Sequence, residues 1–204
     1  MKLTILGCGT STGVPRIGND WGRCDPYEPR NRRTRSSIVV EQDGFRILVD
    51  TGPDMHGQLI ANDIGRIDAV IWTHDHADHC HGIDDLRPLR FGRSAPIPGF
   101  ASTATMRSLK RRFSYVFAGE HGYPSIVEIQ NLERLNIHAG FAVDSVEMPH
   151  GPTMSTGYLF EADGKTIAYT TDFSEITPEL LDMLDGIDLL VCDCLRREPH
   201  PTHA

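Results

Sequence analysis

The chain has 204 residues, 39% hydrophobic and 24% charged, which fits one globular domain over residues 1–204 with a substantial core. A formal net charge of −8 argues against gripping nucleic acid by bulk electrostatics, although a local basic groove stays open. No apolar run approaches the length of a membrane span, and five scattered cysteines with no secretory leader before them predict reduced thiols in a cytoplasmic protein.

In chain order, residues 2–6 read as a strand that runs into a glycine-rich turn over 7–13. Spacing alone makes this a tight turn, although its glycines would also let backbone N–H groups approach an anion. Residues 16–37 form a Pro- and Gly-bearing loop that carries Arg30, Arg32, Arg33 and Arg35. A substrate phosphate contact and a solvated surface loop with ion pairs are equally good readings of these arginines. Strands over 37–41 and 45–50 flank Gln42-Asp43-Gly44, a hairpin signal. A helix follows over 55–62, with Asp54 as its N-cap and His56 on its face.

The apolar run 67–72 predicts a buried strand that delivers Thr73-His74-Asp75-His76-Ala77-Asp78-His79. Three imidazoles and two carboxylates fall within six residues, and this donor set suits zinc, manganese or iron. Candidate metal ligands are therefore His74, His76, Asp78 and His79. Next come a strand over 96–101 and a helix over 103–112 capped by Ser102, with Met106, Leu109 and Phe113 facing the core. The loop 117–124, which contains His121, is a candidate cleft wall with His121 solvated. A strand over 141–148 ends at Pro149-His150-Gly151; taken alone, His150 would be a surface histidine. Strands over 157–160 and 165–170 make a second hairpin across Ala162-Asp163-Gly164, which leads to Thr171-Asp172. A helix over 178–184 has Thr177 as N-cap and Pro178 at its first position. The run 188–194 predicts a buried strand, and 196–203 a loop.

His74-x-His76-x-Asp78-His79 resembles the signature of the metallo-β-lactamase fold hydrolases. Gly7-Cys8-Gly9-Thr10-Ser11-Thr12-Gly13-Val14-Pro15 narrows the resemblance to the phosphodiesterase branch. That branch holds the PhnP-type cyclic phosphate phosphodiesterases and, more distantly, the tRNA 3′-processing endonucleases. The resemblance covers nearly the whole chain. It implies an α/β fold, a four-layer αββα sandwich with metals at one edge between strand ends, and places the glycine-rich turn and a short helix over 82–89 near them. It implies that His74, His76 and His150 serve one metal, that Asp78 and His79 serve a second, and that Asp172 bridges the two. Asp50 would lie beneath and orient the ligands through hydrogen bonds. Asp193 and His203 match a carboxylate and histidine pair whose histidine protonates the leaving oxygen. His81 has no matching role, and His200 lies close to His203 in sequence.

Two departures matter. Some PhnP-type proteins carry several cysteines that bind a structural zinc in the region of residues 16–37; only Cys24 is present here, so no such site is predicted. Related proteins usually continue past the position of Ala204 with a helix and strands that supply a last histidine to the second metal. A C-terminal part therefore looks missing, and weaker occupancy of the second metal is expected. The activity implied is hydrolysis of a small or cyclic phosphodiester by a hydroxide generated on two divalent metals, Zn or Mn with Fe also compatible, with Asp78 taking part in the chemistry. A homodimer is compatible with the resemblance. An RNA-processing endonuclease is the first alternative, disfavoured by the acidic balance and the absence of an inserted basic arm. A catalytically impaired metal-binding member is the second. A thioesterase or lactamase fits less well, because the N-terminal glycine-rich motif is not typical of those branches.

Overall fold

Two Asp-Gly turns set the registers of the two sheets. In the computed structural model, which describes residues 1–120, 122–132 and 142–204, Asp43 and Gly44 both have positive φ, as do Asp163 and Gly164. Each pair is the two-residue loop of a tight hairpin, since Gln42 faces Phe45 and Ala162 faces Lys165. This conformation matches the right-handed twist of the flanking strands and favours Asp-Gly.

The first turn joins β2 (Ser37–Gln42) to β3 (Phe45–Val49) in a six-stranded sheet with β1 (Lys2–Gly7), β4 (Ala69–Ile71), β5 (Ile97–Phe100) and β6 (Val127–Ile129). Strand order follows the sequence: β1, β2 and β3 are antiparallel neighbours, and β3 to β6 run parallel. The second turn joins β8 (Thr153–Ala162) to β9 (Lys165–Thr170) in a four-stranded sheet ordered β10-β9-β8-β7, with β7 at Ala142–His150 and β10 at Leu189–Cys192. Among the described residues the α-helices are α1 (Met55–Ala61), α2 (Ala77–Cys80), α3 (Arg87–Arg90), α4 (Thr103–Arg112), α5 (Ser114–Ala118) and α6 (Pro178–Leu184).

Alternation along the strands divides the core in two. Val39, Leu48 and Val70 point to one face of the large sheet, where Met55 and Leu59 of α1, Met106 and Leu109 of α4 and Val116 of α5 cover them. Their neighbours Ile38, Val40, Ile47, Val49, Ala69 and Ile71 point to the other face and meet Val143, Tyr158, Phe160, Ile167 and Tyr169 of the small sheet. Successive side chains of a strand alternate between faces, so each of these runs supplies two layers at once. A fully buried Val, Ile or Leu contributes about 1.5–3 kcal/mol, so these clusters dominate the stability. Phe173 and Leu180 cover Met148 on the far side of the small sheet. The layers are therefore helices, sheet, sheet and helix, the αββα sandwich expected from the sequence.

Several local expectations change. Residues 188–194 are not a buried strand: β10 is a four-residue edge strand on which Leu189 and Leu190 are more than 40% exposed. Asp54 makes no side-chain cap to α1; its carboxylate instead accepts from the backbone N–H and guanidinium of Arg35. The segment expected as one helix over 82–89 is a 3-10 turn at Ile83–Leu86 followed by α3, with Pro88 near the start of α3. Ser102 and Thr177 do cap their helices, accepting from the N–H groups of Thr105 and Leu180. Phe141 and His121 lie outside the described residues.

Candidate metal centre

Every candidate residue except His203 hangs from the C-terminal end of a strand. Asp50 follows β3, His74 to His79 follow β4, His150 closes β7, Asp172 follows β9 and Asp193 follows β10. Because β3 and β4 are parallel, and β9 and β10 are parallel, their ends converge on one edge of the sandwich. A rigid scaffold that ends in short loops at one edge is well suited to displaying reactive groups. Asp50 and Asp172 turn the chain there with φ of 64° and 57°, a conformation that Asp tolerates better than most residues. Gly52 and Gly82 let the α2 segment sit close against the end of β3: a Cβ on Gly52 would lie 2.3 Å from the Asp78 carbonyl oxygen, and one on Gly82 would lie 2.1 Å from that of Gly52.

The buried Asp50 carboxylate organises the floor. Its Oδ1 accepts from the Thr73 N–H at 2.8 Å, and its Oδ2 accepts from the Thr73 hydroxyl at 2.8 Å and from His79 Nδ1 at 2.7 Å. Having given its hydrogen to Asp50, the Thr73 hydroxyl accepts from His74 Nδ1 at 3.0 Å. On the opposite wall, His150 Nδ1 donates to the Thr202 carbonyl at 2.7 Å. Each of these Nδ1 atoms is thereby engaged, so Nε2 of His74, His79 and His150 is directed inward. His76 turns its Nδ1 inward, 3.3 Å from His150 Nε2.

These atoms gather around Asp172. Its Oδ2 lies 3.2 Å from His79 Nε2, 3.6 Å from His74 Nε2 and 3.8 Å from His150 Nε2. Asp172 belongs to three sets whose donor atoms all lie within 4.8 Å of one another: with His74, His76 and His150; with Asp78 and His79; and with Asp193 and His203. His74 Nε2 is buried and has no hydrogen-bond partner among the described residues. An unpartnered imidazole nitrogen facing carboxylates costs free energy unless something electrophilic occupies the space. Nitrogen and carboxylate donors in these sets fit a divalent cation.

The charge states follow from the same contacts. Burial pushes His74 well below the ordinary imidazole pKa, with neighbouring imidazoles adding to the effect. Burial also lowers His150. For His79 burial acts in that direction too, but the Asp50 and Asp172 carboxylates outweigh it and raise the pKa well above the usual value. Burial works to raise Asp172, yet hydrogen bonding and charge from His79 hold it far below the usual carboxylate range.

His203 Nδ1 is hydrogen-bonded to Asp193, and its ring lies edge-on to His150 with centroids 5.0 Å apart. The 196–203 loop thus brings His203 onto the centre. A cleft of about 620 Å³ opens over the centre; besides these residues, Cys8, Thr10, Ser11, Arg33, Cys192 and Cys194 line it. The glycine-rich turn therefore borders the centre. No described residue of 117–124 lines this cleft; Phe117 instead packs edge-on to Trp72. His56 is exposed on α1, and His81 accepts from Arg112 of α4. His200 bonds Thr202 through Nδ1. Sequence reasoning missed Thr73 and the Thr202 carbonyl. The first was detectable as the hydroxyl residue preceding His74, whereas a backbone acceptor carries no sequence signal.

An αββα sandwich with this His and Asp constellation at its strand ends defines a metallo-β-lactamase fold protein. Residues 45–204 match the family described as a beta-lactamase superfamily domain, and the chain belongs to it. A crystal structure described as a new diphosphatase from the PhnP family is 41% identical, with a TM-score of 0.85 over 99% of this chain and 76% of that one. The zinc-bound PqqB of Methylobacterium extorquens is 25% identical, with a TM-score of 0.73 over 95% of this chain and 72% of that one. An octanoyltransferase of Porphyromonas gingivalis is 33% identical over 210 positions that cover all of this chain; the match spans only 41% of that curated relative's length. Among the described residues no helix is long and apolar enough to cross a membrane.

Proposed function

We propose that the protein is a metal-dependent phosphodiesterase acting on a small or cyclic phosphate ester, and that residues 1–204 work as one domain. The observation that carries this is the shared Asp172, one carboxylate common to all three donor sets. His74, His76 and His150 would hold one divalent ion and Asp78 and His79 a second, with Asp172 between them. Zinc, manganese and iron all suit these donors, and the zinc-bound relative favours zinc. Bound there, such ions supply Lewis acidity and make water nucleophilic near neutral pH.

The chain's own residues do the rest. Asp50 and Thr73 fix the rings of His79 and His74, so that the donor atoms are aligned before substrate arrives. Asp193 orients His203 beside His150, where a protonated imidazole donates to the departing alkoxide oxygen. The glycine-rich turn forms part of the cleft lining beside these residues. Four exposed free thiols, Cys8, Cys24, Cys192 and Cys194, support a cytoplasmic setting.

The 41% identical diphosphatase makes a phosphoric anhydride a natural variant of the substrate. The net charge of −8 disfavours the RNA-processing alternative. The test is hydrolysis of bis(p-nitrophenyl) phosphate by zinc- or manganese-loaded protein, with a structured RNA and a thioester assayed beside it. Turnover of the small diester supports the proposal; turnover of the RNA or the thioester alone overturns it.

A further inference from the structure

We propose that Arg33 forms an anion subsite of the cleft and selects substrates that carry a second phosphate linked to the one attacked. This rests on the phosphodiesterase reading above and specifies its substrate class as diphosphate esters.

The four arginines of the 16–37 segment are not equivalent. Arg30 pairs with Glu28 at 2.9 Å, and Arg35 with Asp54 at 3.0 Å. The Arg32 guanidinium stacks over the Trp21 ring at 5.2 Å from its centroid. Arg33 alone of the four lines the cleft that contains His76, Asp78, His79, His150 and Asp172. It is also the only lysine or arginine among the residues that line it. Its guanidinium has no carboxylate partner among the described residues; its one side-chain hydrogen bond goes to Cys8 Sγ at 3.6 Å. Thiol sulfur is a weak acceptor, so most of the guanidinium donors remain available.

The backbone beneath this side chain is fixed. Arg33 and Val14 exchange two hydrogen bonds of 2.9 Å, an antiparallel bridge that ties the arginine to the end of the glycine-rich turn. The side chain therefore projects from a braced position rather than from a free loop, which lowers the ordering cost of binding. Thr10 and Ser11 also line this cleft. The cleft of about 620 Å³ is far larger than one phosphate group needs. In an acidic protein, a guanidinium held free of carboxylates in a cleft is suited to planar, bidentate contact with phosphate oxygens. The metal centre would take the attacked phosphate, and Arg33 the neighbouring one.

The test uses zinc-loaded wild type, Arg33→Gln and Arg33→Lys. Calorimetry measures binding of ADP and of AMP, and kinetics compares diadenosine diphosphate with bis(p-nitrophenyl) phosphate. Wild type is expected to prefer ADP, and Arg33→Gln to weaken ADP by about tenfold or more while changing AMP little. KM for diadenosine diphosphate should rise in Arg33→Gln with kcat largely kept, Arg33→Lys should recover part of the loss, and bis(p-nitrophenyl) phosphate should be unaffected. An ADP to AMP ratio unchanged by Arg33→Gln, or equal losses on both substrates, overturns the proposal. If wild type turns over neither substrate, the phosphodiesterase reading falls, and the ADP to AMP ratio still decides the role of Arg33.

Discussion

The Asp50 carboxylate accepts a 2.7 Å hydrogen bond from His79 Nδ1, and both side chains are almost wholly buried. This contact fixes which nitrogen of His79 faces the centre, and the hydroxyl of Thr73 carries the same influence to His74. Asp50→Asn is the informative substitution, because Asn tolerates the positive φ at this position and keeps the shape. We expect metal affinity to fall by about 10–100-fold with the fold intact. Competition against a chromogenic chelator measures it, and unchanged affinity would show that Asp50 does not orient the ligands.

Protons should leave when metal binds. Burial opposes charge on His79, but Asp50 and Asp172 override it, so the metal-free imidazole holds its proton to higher pH than an ordinary histidine. Burial keeps His74 and His150 neutral. A ligand must be unprotonated at the coordinating nitrogen. Zinc binding at pH 7 is therefore expected to release about one proton from the histidines, and that release should vanish as pH rises through the raised pKa of His79. The dependence of calorimetric enthalpy on buffer ionisation enthalpy gives the count. Asp50→Asn should reduce it, and a count near zero at pH 7 would contradict the assignment.

His203 should matter only when the leaving group needs a proton. For p-nitrophenolate, a stable anion, His203→Ala should leave kcat nearly unchanged. For a diester that releases an alkyl alcohol, kcat should fall by about 100-fold or more. Asp193→Asn should follow the same pattern more weakly, since it acts through the ring it holds. Equal losses for both leaving groups would place His203 in binding rather than in proton transfer.

Metal and fold should be linked. At free zinc about 100-fold above Kd, bound metal adds roughly 2.7 kcal/mol, which corresponds to roughly 5–10 °C in Tm for a domain of this size. Because both sheets share one buried cluster, residues 1–204 should unfold in a single transition with and without metal. Scanning calorimetry with and without chelator checks both, and two resolved transitions would contradict the single-domain reading.

The strands were legible because their side chains alternate and their turns are Asp-Gly pairs, a signal local enough to survive without tertiary context. His74 to His79 were legible for the same reason, since six residues contain most of one donor set. His150 and Asp172 carried little signal of their own and depended on resemblance, because what joins them to the loop is the packing of one sheet on the other. Leu189 and Leu190 misled: an apolar run reads as buried, yet β10 is an edge strand with one neighbour. The Asp54 cap failed because Arg35, distant in sequence, competes for the same carboxylate. The difference between Arg33 and its three neighbouring arginines is equally invisible in sequence, since it depends on where each partner lies.

The central claim is that this His and Asp cluster binds metal and that the bound metal drives hydrolysis of a phosphodiester. Its most direct test is metal content per chain measured on the same sample as bis(p-nitrophenyl) phosphate turnover, before and after chelation, with His74→Ala alongside. We predict stoichiometric metal and turnover that disappear together on chelation and in His74→Ala, and that return together when zinc is restored to wild type. Turnover that persists in metal-free protein, or fully metal-loaded wild type that hydrolyses no diester, would contradict the account.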